Sequence, residues 1–133
     1  MTSRLMVLLA ALLGLGGCIP MPYRFTLRPE VSGVILDAAS SAPISNATVT
    51  CTTPTLSRGG TTDQVANSDA SGRFDIPAMK RWGVYIMPMD YFFRPSSVVV
   101  AAPDHESRSL QVAADQPQGK PADLGDIRLK ATP

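Results

Sequence analysis

Two hydrophobic patterns divide this chain. From Leu5 to Leu15 the positions are apolar almost without interruption, and from residue 30 onward apolar and polar positions alternate in short stretches. Period-two alternation marks strands that turn one face to a core. It predicts strands over Val31–Asp37, Ala47–Thr53, Arg73–Ile76, Ser107–Ala113 and Asp126–Lys130, with a weaker one over Thr62–Ser68. Ser97–Ala102 holds three consecutive valines, which predicts a strand buried on both faces. Between these stretches lie Pro, Gly, Asn, Asp and Ser. Asp69-Ala70-Ser71-Gly72, for instance, puts glycine where a turn needs positive φ. Turn signals recur roughly every ten residues, and nothing after residue 18 sustains helical periodicity for three turns. The expectation is an all-β domain.

The first pattern has a different meaning. Eleven apolar residues are too few to span a bilayer, which takes about 20 in a helix. Arg4 before the run and Gly16-Gly17 after it describe an export signal. Leu15-Gly16-Gly17-Cys18 resembles the lipobox of bacterial lipoproteins. That resemblance implies cleavage before Cys18, a diacylglycerol thioether on its sulfur and an acylated amine. Two or three acyl chains make a lasting membrane anchor where one would be marginal. Ile19 stands where such lipoproteins carry the aspartate of inner-membrane retention. In a Gram-negative cell this implies an outer-membrane protein facing the periplasm, and in a Gram-positive cell the outer face of the single membrane.

Residues 18–29 contain Pro20, Pro22 and Pro29, which predicts an extended tether able to lift a domain roughly 35–40 Å from its lipid. Tyr23–Leu27 also alternates weakly, so a first edge strand is the other reading. The expected organisation is a signal peptide over 1–17, a lipid-anchored tether over 18–29 and a β-sandwich over 30–133. With Cys18 consumed by lipid, Cys51 has no partner for a disulfide. It alternates with Thr48, Thr50 and Thr52, which puts it on the apolar face of a strand as a small hydrophobe. A reactive thiol is the alternative.

Val31-Ser32-Gly33-Val34-Ile35-Leu36-Asp37, then Pro43-Ile44 and Ala47-Thr48-Val49, resemble the opening of carboxypeptidase regulatory-like domains. Ser68-Asp69-Ala70-Ser71-Gly72-Arg73-Phe74 is similar to that family's hairpin, and Leu124-Gly125-Asp126-Ile127-Arg128-Leu129 to its closing strand. Pro103-Asp104-His105 departs from the family's Pro-Gly-Tyr turn. The resemblance implies a Greek-key β-sandwich of about seven strands, of the prealbumin or transthyretin kind. It also implies a non-catalytic adjunct that acts as folding aid, spacer or binding module. The residues agree: Gly33 gives backbone room, Asp37 and Asp69 accept backbone hydrogen bonds at strand ends, and Phe74 packs inward beside Ile76.

Charge narrows the partners. Twelve Lys and Arg against eleven Asp and Glu leave no basic excess for nucleic acid. The one histidine, His105, has no second ligand or nucleophile at a motif spacing, so it reads as an exposed turn residue. Asp69–Gly72 lacks the carboxylates of a calcium loop. The closing Tyr-Arg-Gly-Ser of the transthyretin-like hydroxyisourate hydrolases is absent. No catalytic residue, metal or cofactor is expected. The unusual stretch is aromatic: Trp82, Tyr85, Tyr91, Phe92 and Phe93, five of the eight aromatics, followed by Arg94. Pro88 interrupts any regular strand there. These side chains cap the sandwich, dip into the membrane, or form a contact surface. Aromatic, Met and Arg residues are enriched at interfaces, and aromatic rings also stack on sugars. The expected function is a non-enzymatic, lipid-anchored accessory of the cell envelope that binds a protein partner. A glycan- or peptidoglycan-binding module is the alternative.

Overall fold

The computed structural model describes residues 21–55, 59–85, 95–112 and 120–133. The expected signal peptide over 1–17 and the expected lipidation site Cys18 therefore lie outside the described residues. Nine strands and no helix occur among them: β1 (Met21–Arg28), β2 (Val31–Asp37), β3 (Thr48–Pro54), β4 (Thr61–Asn67), β5 (Arg73–Ile76), β6 (Met79–Tyr85), β7 (Ser96–Ala101), β8 (Arg108–Val112) and β9 (Ala122–Leu129). The chain forms two compact units, one of residues 25–81 and 93–133, the other of residues 1–24 and 82–92.

The larger unit holds a β-sandwich of seven strands. One sheet has the order β5-β2-β9 and the other β4-β3-β7-β8. Every pairing is antiparallel except β2 with β9, which run parallel. Alternation explains the core. Val31 and Ile35 of β2, Val49 and Cys51 of β3, Phe74 and Ile76 of β5, Val98 and Val100 of β7, and Ile127 and Leu129 of β9 form one buried cluster between the sheets. Cys51 is a fully buried free thiol, as the alternation in its strand predicts. The valine strand departs from expectation: Val98 and Val100 are buried, but Val99 is 39% exposed. β7 therefore has one core face and one outer face, because only one sheet lies against it.

β9 begins four residues earlier than its alternation suggests. Ala122 and Leu124 face the core, yet so do Ile127 and Leu129, which alternation alone forbids. The register against β2 slips between Ser32 and Val34, so Leu124 and Gly125 together oppose Gly33. This is a bulge, and it flips the inward face of β9. Gly125 takes the positive φ (62°) that the bulge requires, and its amide N–H donates to Asp123 Oδ1 at 2.9 Å. Opposite it, a Cβ on Gly33 would meet the Phe74 ring at 3.0 Å and the Gly125 carbonyl oxygen at 3.2 Å.

Residues 21–28, expected as a tether, are instead strand β1, paired with β6. The weak alternation of Tyr23–Leu27 was the correct signal, and Pro22 is tolerated because it lies at the strand's start. β6 is a strand the sequence reading did not place. The turn before β5 is as expected: Asp69 Oδ1 accepts from the amides of Ser71 (2.8 Å) and Arg73 (3.0 Å) and from the Ser71 hydroxyl (2.7 Å).

Gly59 and Gly72 both have positive φ, but a Cβ on Gly72 would lie 2.5 Å from the Ile35 carbonyl oxygen whereas one on Gly59 would meet nothing. Gly59→Ala is expected to cost only the left-handed strain, about 1 kcal/mol. Gly72→Ala adds displacement of the Ile35 backbone, and its loss in urea unfolding is expected to exceed that of Gly59→Ala by at least about 1 kcal/mol.

Candidate functional site

Two polar constellations and one aromatic strand are the places in the described structure where chemistry or binding could reside. The first constellation is centred on Asp37 at the end of β2. Its Oδ1 accepts from the amides of Ala39 (3.0 Å) and Ser40 (2.6 Å) and from the Ser40 hydroxyl (2.7 Å). Its Oδ2 lies 3.2 Å from Nε2 of His105, in the loop between β7 and β8. Nδ1 of His105 lies 2.7 Å from the carbonyl of Pro103. Both neighbours of the ring are acceptors, and a neutral imidazole has one N–H to give. Only the imidazolium satisfies both, so the His105 pKa is raised, by the Pro103 carbonyl first and by Asp37 after it. The Ser40 amide and hydroxyl, with His105, lower the Asp37 pKa to about 2.

His105 is thus not the freely exposed turn residue its sequence suggests, since its side chain is only 17% exposed. It clamps the loop after β2 to the loop after β7, and its backbone pairs with Ala131 near the chain's end. The arrangement does not make a nucleophile. The Ser40 hydroxyl donates to the carboxylate rather than to the imidazole, and Nε2 is occupied by Asp37. No group of three His, Cys, Asp or Glu side chains among the described residues could hold a metal ion. Nothing in the sequence signals the pair, because its members stand 68 residues apart.

The second constellation is Arg28, at the end of β1 and fully buried. Nη1 donates to Thr53 Oγ1 at 3.1 Å, and Nη2 donates to Gln64 Oε1 at 2.5 Å and to the Pro77 carbonyl at 2.7 Å. Nε has no partner among the described residues, and every acceptor named is uncharged. One guanidinium thereby ties the start of the domain to β3, to β4 and to the segment between β5 and β6.

The sequence-predicted binding residues fare unequally. Trp82 lies on β6 and is 71% exposed, the most exposed large hydrophobic side chain among the described residues. Lys80 and Arg81, which precede it in the strand, are exposed as well. Tyr85 ends β6, but its side chain lies outside the described residues, as do Tyr91, Phe92, Phe93 and Arg94.

No family model matches the chain, and no curated protein matches it. Among solved structures it is similar to 3-chlorocatechol 1,2-dioxygenase from Rhodococcus opacus 1CP, with a TM-score of 0.51 and 9% identity over 85% of this chain and 62% of that one. A 9R-lipoxygenase from Cyanothece PCC8801 aligns at a TM-score of 0.45 and 13% identity, over 90% of this chain and 20% of that one. The chain thus spans less than two thirds of either protein. At such identity the first likeness concerns the β fold alone.

The Asp37–His105 clamp makes stability depend on pH at both ends. The lowered Asp37 pKa contributes stability that is complete above about pH 4 and is lost as pH falls toward 2. The raised His105 pKa contributes stability present below its unfolded value of about 6.5 and lost as pH rises through its higher folded value. Urea midpoints measured across pH are expected to decline on both sides of this window. Asp37→Asn should flatten both limbs, His105→Ala chiefly the alkaline one, and unchanged profiles would refute the clamp.

Arg28→Ala leaves Thr53, Gln64 and the Pro77 carbonyl without their donor. The expected loss in urea unfolding is about 2–4 kcal/mol, and a loss below about 1 kcal/mol would refute the tie.

Proposed function

We propose that this chain is an exported, lipid-anchored, non-enzymatic protein of the cell envelope whose β-sandwich domain mediates protein–protein interaction. The anchor rests on Leu15-Gly16-Gly17-Cys18 behind the apolar run Leu5–Leu15. Ile19 after the cysteine favours the outer membrane, facing the periplasm, in a Gram-negative cell. The resemblance to carboxypeptidase regulatory-like domains supports an accessory role, and the observed sandwich fits such a domain.

The single observation that carries the interaction is Trp82, 71% exposed on a strand that also displays Lys80 and Arg81. An indole left in water forgoes about 2 kcal/mol that burial against a partner would recover. Tryptophan is also among the residue types that dominate binding energy at interfaces. The proposed lipid anchor adds to this by holding the domain at the membrane surface, where its effective concentration for a neighbouring envelope protein is raised. Sugar stacking on the same indole is the competing use.

A benzophenone amino acid in place of Trp82, in the full-length protein in cells, is expected to give one discrete protein adduct on illumination. Absence of any adduct, with wild-type Trp82 fluorescence shifting on titration with cell-wall fragments, would replace the protein partner by a glycan. Cys18→Ala is expected to abolish lipid labelling, and a variant still labelled would refute the anchor.

A further inference from the structure

Strand β1 takes up most of the segment expected as a tether. It begins at Met21, so only Ile19 and Pro20 separate it from Cys18. Whatever the conformation between them, the Cα atoms of Cys18 and Met21 are at most about 11 Å apart. A lipid on Cys18 therefore keeps the start of β1 roughly 10 Å from the headgroups, well inside the reach of a twelve-residue tether. β6 is hydrogen-bonded to β1 and is brought there with it.

The same two strands collect the positive charge of the described structure. β1 and β6 carry Arg24, Arg28, Lys80 and Arg81 and no acidic residue. The other described residues hold nine Asp and Glu against five Lys and Arg. No other described strand holds more than one cation. Arg28 is buried and already donates to Thr53, Gln64 and the Pro77 carbonyl. Arg24, Lys80 and Arg81 are exposed, and none of them has an ion pair among the described residues. A bilayer with anionic lipids attracts basic side chains within about a Debye length, about 10 Å at 0.1 M salt, and repels acidic ones. Alternation puts Lys80 and Arg81 on opposite faces of β6. Their long stems let the charged ends reach one headgroup layer from either face of a two-stranded sheet.

We propose that the β1–β6 sheet binds the anionic headgroups of the membrane that carries the anchor, through Arg24, Lys80 and Arg81. The short link sets the distance from the bilayer but not the tilt. The charge asymmetry sets the tilt, since the cations are drawn to the lipid phosphates while the acidic remainder of the described residues is repelled. Arginine adds the planar fork that grips phosphate oxygens in pairs. Lipid is the occupant because it is the polyanion that the link brings within reach of these strands without any further partner. The inference rests on the anchor proposed at Cys18. It leaves Trp82 its protein partner and narrows that partner to proteins that reach the membrane surface.

Trp82 is the chain's one tryptophan and follows Arg81 directly, so its emission reports the contact. The full-length lipidated protein is reconstituted into vesicles bearing a headgroup nitroxide, made of phosphatidylcholine alone or with phosphatidylglycerol. Quenching of Trp82 is expected with phosphatidylglycerol and is expected to vanish at about 1 M salt, where the Debye length falls to about 3 Å. One cation near an anionic surface shifts an equilibrium about five-fold. Lys80→Gln with Arg81→Gln is therefore expected to lower the ratio of quenched to unquenched protein about 30-fold, whereas Lys80→Arg with Arg81→Lys retains it. Protein that floats with the vesicles yet is quenched equally with and without phosphatidylglycerol overturns the headgroup contact and leaves the anchor standing. Quenching that survives the paired Gln substitutions does the same. Protein that floats with neither vesicle overturns the anchor and the contact together.

Discussion

The approach of the Phe74 ring and the Gly125 carbonyl to the bare backbone of Gly33 governs the three-stranded sheet. A side chain at position 33 would push β5 and β9 away from β2 together. Because Gly33 has none, the bulge in β9 can sit against it, and the bulge turns Ile127 and Leu129 inward after Ala122 and Leu124 have already faced the core. Phe74 then closes the core over the same spot. Three features that look separate in the chain, a glycine in a strand, an aromatic after a turn and a Leu-Gly-Asp near the end, are one packing solution.

Much of this architecture was legible before the structure. Strands with one clean core face, such as β2, β3 and β5, lie within a residue of where alternation places them, since burial on one side of a sheet writes period two directly into the sequence. The failures have local physical causes. The front half of β9 was hidden because the bulge reverses its inward face, so no single alternation runs through it. Three valines in β7 suggested burial on both sides, yet Val99 faces outward in a row with Thr50 and Val65.

The polar constellations were invisible for another reason. Asp37 was expected to accept backbone hydrogen bonds and does, but its histidine comes from a loop 68 residues on. Arg28 sits among prolines that suggest a solvated tether, and its partners lie 25 to 49 residues away. Long-range polar contacts follow from how loops meet at the end of a sandwich, and no local pattern encodes that. In the proposed binding surface, Trp82 is where the expectation meets an observed exposed side chain. The buried Arg28 guanidinium, held by Thr53, Gln64 and the Pro77 carbonyl, fixes where β1 joins the sandwich.

The parallel pairing of β2 with β9 joins residues 31–37 to residues 122–129. The first strand of the sandwich therefore has no neighbour on that side until the last strand has been made and moved to wherever the domain folds. Contacts of such sequence separation carry a large loop-closure cost in the folding transition state and slow the final step. During synthesis the sandwich lacks its closing strand, so the lock that completes the three-stranded sheet is the last part of the domain to arrive.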